Sequence, residues 1–228
     1  MKRLSLLFLL FFVAGLGIAG DVAQFVNLGF SRDSSIFVFG QYGIRRNTSV
    51  PFASLYFVDV AKNDFLSQGV FTSNETEPVA VGQNGSGALW NLLYRGAPFV
   101  DRHSISHSRQ GRLVYLYING QEARSRITFR DFNTSAHFEI NLIQDSRGSG
   151  ENQSAAFHLS VQATDKDGRV WNFTVGLPNF YRPGVSRYRM KQVIMSPDEK
   201  SIVVVVEKIT DLPNSKSIEY MVETVKVF

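Results

Sequence analysis

The sequence predicts an all-β fold built from antiparallel sheets, and three observations predict it. Short runs rich in Val, Ile, Phe, Tyr and Thr recur along the chain, each closed by Gly, Asn, Asp, Ser or Pro. Several runs alternate apolar and polar residues, as a strand with one buried face requires. Asn-Gly and Asp-Gly pairs separate some of them, where tight reversals need positive φ.

In chain order, residues 1–20 come first and read as a secretory signal peptide. Lys2 and Arg3 form a positive start, residues 4–13 are apolar apart from Ser5, and Gly17 and Ala19 suit cleavage before Gly20-Asp21. The apolar stretch, about 15 residues, falls short of the roughly 20 that span a bilayer. Residues 21–228 are then a single exported β domain without a stable membrane span. Strands are predicted over 24–30, 36–42 and 54–60. The one helix is predicted over 88–94, where Leu89, Leu92 and Leu93 fall at i, i+3 and i+4 behind Ser86 as N-cap.

Further strands are predicted over 113–118, 126–132, 137–143, 156–164 and 170–176, with 126–176 forming a central meander. Phe138, Ile140 and Leu142 point one way and His137, Glu139 and Asn141 the other. Asn119-Gly120 and Asp167-Gly168 read as hairpin tips, and residues 146–154 as a long polar loop. Strands over 189–195, 202–208 and 218–227 close the domain. Residues 203–206 are apolar at every position, which predicts a strand covered on both faces. That run, and the mixed character of Tyr220, Val222, Thr224 and Lys226, argue against a lipid-facing membrane barrel.

Composition excludes more than it selects. The chain has 24 basic and 20 acidic residues, two of the basic ones in the signal, and no charged run that marks a nucleic-acid partner. It has no cysteine, so thiol catalysis, thiolate metal sites and disulfides are excluded. Six Asn-x-Ser/Thr triplets start at Asn47, Asn74, Asn84, Asn133, Asn152 and Asn172. Without cysteines the bacterial reading is favoured, in which these triplets are loop chemistry and the protein is periplasmic or secreted.

One internal echo carries the tertiary prediction. Phe30-Ser31-Arg32-Asp33, then Phe37-Val38-Phe39, matches Met195-Ser196-Pro197-Asp198, then Ile202-Val203-Val204, at an offset of 165. Ser and Asp can cap such turns by accepting backbone N–H groups. A fainter copy is Ser108-Arg109-Gln110-Gly111. Residues 196–203 and the run Leu55-Tyr56-Phe57-Val58-Asp59-Val60, with Asn63 after it, resemble the turn and strand elements of TolB-type and WD40-like β-propeller blades. Arg32 stands where Pro is usual and Ser34 where Gly is usual.

The layout as a whole resembles an uncharacterised family of predicted secreted bacterial proteins, through FVNLGFSRDSSIFVFGQYG, GLPNFYRPGVSRY and the ending SPDEKSIVVVVEK…IEYMVET. The blade resemblance implies propeller-like blades near both termini around the meander; a single β-sandwich is the simpler alternative. It also implies that the last strand packs beside or against strands 24–30 and 36–42.

Few residues point to chemistry. His103 and His107 have an H-x3-H spacing, but their surroundings are Ser- and Arg-rich with no helical periodicity. Asp165-Lys166-Asp167-Gly168 opens like a calcium loop and lacks its later ligands. Residues 82–87 are Gly-rich ahead of the helix and lack the P-loop lysine. No G-x-S-x-G elbow is present. No cofactor or metal is therefore expected. Phe180, Tyr181 and Arg182, in a Pro/Gly-bounded loop, are the candidate contact residues, since aromatics beside Arg are typical of binding hot spots. The leading expectation is an exported, non-enzymatic binding or structural module that recognises an envelope protein or polysaccharide. The alternative is an envelope glycan hydrolase with paired carboxylates.

Overall fold

The computed structural model describes residues 21–228, except residue 214 and the side chain of 151, so the signal-peptide reading lies outside the described residues. The strands are β1 (Gln24–Ser31), β2 (Ile36–Ile44), β3 (Pro51–Asp59), β4 (Asp64–Thr72), β5 (Ile105–Ser106), β6 (Arg112–Leu116) and β7 (Arg126–Arg130). They continue with β8 (His137–Arg147), β9 (Ser154–Thr164), β10 (Val170–Pro183), β11 (Arg187–Met195), β12 (Ser201–Leu212) and β13 (Ser215–Lys226). One helix, α1 (Ser86–Arg102), separates β4 from β5. The strands pair into three antiparallel sheets, ordered β4-β3-β2-β1-β5, β10-β9-β8-β7 and β13-β12-β11-β6. The fold is all-β.

The sheets stack as layers, and the one that closes the chain sits in the middle. Residues along β12 explain why. Ile202, Val204 and Val206 join Phe138, Ile140 and Leu159 of the β7–β10 sheet in one core. Val203 and Val205 face the other way, onto Phe30, Phe37, Phe39 and Val58 of the first sheet. All five are completely buried, as expected for a run apolar at every position. The outer face of the first sheet carries α1, through Leu89 and Leu92 against Val38, Leu55 and Phe57. Blade likeness is confined to the hairpin turns. The sheets form an open stack in which chain order and spatial order differ, not a ring of consecutive blades.

Tertiary packing overrides local signals at several places. The helix runs on to Arg102, through Gly96 and Pro98, because Phe99 beyond them packs edge-on to Phe57 at 4.9 Å and to Phe71 at 5.9 Å. Gly85, not Ser86, holds the N-cap position, and Asn84 Oδ1 accepts the Ser86 N–H at 3.0 Å. Strand β4 has no readable pattern, since Gln68 takes φ +59° and breaks its pairing with β3. Asn119-Gly120 is no hairpin tip: it lies between β6 and β7, which belong to different sheets. Asp167-Gly168 does close the β9–β10 hairpin, with Asp165 Oδ1 accepting the N–H groups of Asp167 and Arg169. The expected loop at 146–154 is present but shorter: residues 148–153, with a 3-10 turn at Gly150–Asn152, join β8 to β9, while 146, 147 and 154 belong to the strands.

The echoed turns are the same object twice. Ser31 Oγ donates to Asp33 Oδ1 at 2.6 Å and accepts the Ile36 N–H at 2.9 Å. Ser196 Oγ donates to Asp198 Oδ1 at 2.6 Å and accepts the Ser201 N–H at 2.9 Å. Ser34 and Glu199, at equivalent places, take φ of +62° and +60°. The Ser108 segment shares no such network. A non-glycine residue pays roughly 1–2 kcal/mol for the left-handed conformation, and the buried Ser34 hydroxyl also lacks a partner among the described residues. Ser34→Gly is therefore expected to stabilise the domain by about 1 kcal/mol, net of glycine's backbone entropy. Equilibrium urea unfolding checks this, and a midpoint at or below wild type refutes it.

Strand β13 meets the first sheet as the echo implied, face against edge. Ile218 N–H donates to Asp21 O and Ala23 N–H to Ile218 O, Tyr220 packs on Phe25 at 5.6 Å, and Gln41 Oε1 accepts the Tyr220 N–H at 2.7 Å. The strands are not continuous in one sheet; a single parallel bridge, Val22 to Ile218, joins them.

Candidate binding groove

The two outer sheets converge over the β13 edge of the middle sheet and leave a groove of about 920 Å³. Its walls are the β3–β4 turn, β10 over residues 172–177, and β13 over residues 221–226. Strand alternation delivers the side chains: Glu223 and Val225 face the β7–β10 sheet, Glu223 against Gly176 and Val225 in the shared core, while Thr224 faces the β3–β4 turn.

Asn63 organises the floor. It takes φ +54° at the end of the turn, a conformation Asn tolerates better than most residues. Its side-chain Oδ1 accepts the Thr224 N–H at 2.6 Å, and its Nδ2 donates to Glu223 Oε2. Thr224 Oγ1 in turn donates to Val60 O at 2.8 Å. These bonds fix Glu223 against Gly176, where φ is +92° and an added Cβ would lie 3.3 Å from Glu223 Oε1. Glycine is what admits the carboxyl there.

Glu223 differs from the other buried carboxylates. Asp131 is paired with Arg112, and Glu207 with Arg189 and Lys191. Glu223 is 5 % exposed and has no cation within salt-bridge distance among the described residues. Its Oε1 makes no hydrogen bond among those residues. Burial pushes its carboxyl above the usual range, against the opposing pull of the Asn63 hydrogen bond and the Arg182 charge. The group is an acid held short of one partner at the bottom of an open groove.

Of the three predicted contact residues Arg182 alone lines this groove, and none of them is on a loop. Phe180, Tyr181 and Arg182 lie on β10, in a bulge where the pairing with β9 jumps from Leu177–Phe157 to Arg182–Ala155. Bulges re-aim side chains, and here they separate the three. Phe180 is 55 % exposed. Tyr181 donates its hydroxyl to Asp145, with Arg147 stacked 3.7 Å over its ring. Arg182 turns into the groove. Its guanidinium sits 5.0, 5.6 and 5.9 Å from the rings of Phe180, Phe157 and Tyr188. Its one hydrogen bond among the described residues is a long one, 3.4 Å to Tyr188 Oη.

The structure disperses the other motifs. His103 follows the end of α1 and packs on Phe99, and His107 bonds Leu28 O through Nδ1 at 2.7 Å. Glu223 escaped the sequence reading because MVETV offers no spacing signal. Asn63 stood in the blade-like turn, yet nothing in the sequence pairs it with a residue 160 positions away.

A model of the family described as Predicted secreted protein (DUF2259) matches residues 38–226. Neither a curated protein nor a solved structure matches the chain. Among the described residues, no helix is long and apolar enough to cross a membrane.

Proposed function

We propose, for a chain that belongs to the DUF2259 family of predicted secreted proteins, that it is an exported, non-enzymatic binding module of the bacterial envelope whose ligand lies in the groove over β13. The observation that carries this reading is Glu223. Its Oε1 has no hydrogen bond among the described residues and is not sealed from solvent, so a ligand group can take the place of water on it. Arg182, with a single long hydrogen bond among the described residues, supplies a second polar group on the same groove, and half-exposed Phe65 supplies an apolar one.

The hydrolase alternative requires two carboxylates poised across a common substrate position. Asp64 also lines the groove, but its Oδ1 is engaged by the Phe65 N–H at 2.8 Å, which ties it to its own turn. That favours binding over hydrolysis.

The test is crosslinking of the secreted chain in envelope extracts, beside Glu223→Gln and Arg182→Gln. A partner captured by wild type and reduced several-fold by both substitutions is the expected result. No partner above background with any crosslinker, or a partner indifferent to both substitutions, refutes the groove. Release of reducing ends from envelope glycan, abolished by Glu223→Gln, would replace the binding reading with the hydrolase.

A further inference from the structure

We infer that the ligand of this groove is a neutral polyhydroxylated chain, a saccharide rather than a peptide strand, its hydroxyls seated on Glu223 Oε1 and the Arg182 guanidinium; this rests on the binding reading above. Three features lead there.

The first is the state of the β13 edge. A peptide adds to a sheet by matching free N–H and C=O groups along an exposed edge strand. Here the outward N–H groups of Ile218, Tyr220 and Thr224 are already taken, by Asp21 O, Gln41 Oε1 and Asn63 Oδ1, which leaves that of Val222 isolated between blocked neighbours. Natural sheets block edges in such ways against pairing with other chains. What the groove offers is side-chain chemistry instead of an open backbone ladder.

The second is the kind of chemistry. Among the described residues Glu223 Oε1 and the exposed Thr174 hydroxyl have no hydrogen bond, and Arg182 has only the long one to Tyr188. Hydroxyls both donate and accept. They satisfy a guanidinium and a carboxyl together, and they satisfy the carboxyl in either protonation state. That matters because burial raises the Glu223 carboxyl, so it offers an acceptor or a donor according to pH. A single hydroxyl serves both forms, whereas a peptide needs its N–H for the carboxylate and its C=O for the acid O–H.

The third is charge. Lys62, Arg182 and Lys226 line the groove with Asp64 and Glu223. The signs nearly balance, which gives no steering field for a polyanion. Phe65, 49 % exposed at the rim, presents a ring to the apolar face of a sugar.

The experiment is a titration of the secreted chain, followed by amide chemical shifts, with cellotetraose, maltotetraose and chitotetraose in one arm and an uncharged hexapeptide in the other. At least one saccharide is expected to saturate, with shifts centred on residues 62–65, 172–177 and 221–226. Glu223→Gln should weaken it about tenfold and Arg182→Gln at least threefold, while Trp90→Ala on the far side of the first sheet leaves it unchanged. Native shifts elsewhere in each variant confirm that the fold is kept. Saturation by the hexapeptide in the groove, with no saccharide binding, overturns the saccharide assignment and leaves the binding reading standing. Saccharide binding that shifts residues elsewhere and ignores Glu223→Gln overturns it as well. If no probe binds and the crosslinked partner ignores both groove substitutions, the binding reading falls with it.

Discussion

Deleting residues 219–228 is expected to unfold the entire domain instead of fraying one end. This half of β13 is held by all three sheets. Tyr220 packs edge-on to Phe25 of the first sheet, and Thr224 and Glu223 are tied to Asn63 and Val60 in the β3–β4 turn. Val225 and Val227 are buried in the core shared with the β7–β10 sheet. Phe228 meets Trp171 at 5.5 Å and Phe138 at 6.3 Å. Each buried valine is worth about 1.5–3 kcal/mol. Adding the exposed β12 edge and the orphaned Gln41 and Asn63 caps, the loss matches the roughly 5–15 kcal/mol by which domains are stable. Circular dichroism and size-exclusion chromatography of the truncated chain check the outcome. A soluble monomer with a wild-type melting temperature would mean that the layers fold independently.

The part of this architecture legible in sequence is the part written in local patterns. Residues 203–206 read as doubly covered because no position in the run is polar, and the middle layer is where such a strand must lie. The Ser31 and Ser196 turns were readable because their hydrogen bonds close within five residues. Which sheet lies between which others was not readable. Stacking order depends on how apolar faces match across long loops, and no local signal encodes that. The edge strand β4 stayed hidden because a kink at Gln68 erases alternation.

The groove was legible only at its rim. Of the two aromatic neighbours that single out Arg182 in the sequence, Phe180 does sit beside it, but Tyr181 turns to Asp145 and Arg147, and the other rings around the guanidinium, Phe157 and Tyr188, come from β9 and β11. Glu223 and Asn63 are brought together solely by packing of the first sheet on the last. A lone Glu in an alternating strand reads as a solvated residue until the opposite wall is known.

Asp131→Asn is expected to destabilise the domain by about 2 kcal/mol at neutral pH, and the deficit should shrink as the solution is acidified. Asp131 sits in the β7–β8 turn with a fully buried side chain. It accepts the Thr134 N–H at 3.0 Å and hydroxyl at 2.6 Å, and it binds both terminal nitrogens of Arg112 from β6. The pair clamps the edge of the middle sheet to the β7–β10 sheet. Burial alone would raise this carboxyl; Arg112 and Thr134 outweigh it and hold the group at about 2, below the ordinary 3.8.

A folded-state value below the unfolded one stabilises above the unfolded value and loses that stabilisation as pH falls through the folded one. The clamp's contribution is thus complete above about pH 4 and lost towards pH 2, a difference of about 2 kcal/mol at 1.36 kcal/mol per unit. Arg112→Ala should cost more at pH 7, about 3 kcal/mol, because it strands the buried carboxylate. Glu199→Gln, which removes the outer, exposed partner of Arg112, should change stability by no more than about 0.5 kcal/mol. Urea midpoints for wild type and the three variants between pH 2 and pH 7 decide it. A wild-type midpoint for Asp131→Asn at pH 7, or a deficit that is constant with pH, would show that the ion pair does not hold the two sheets together.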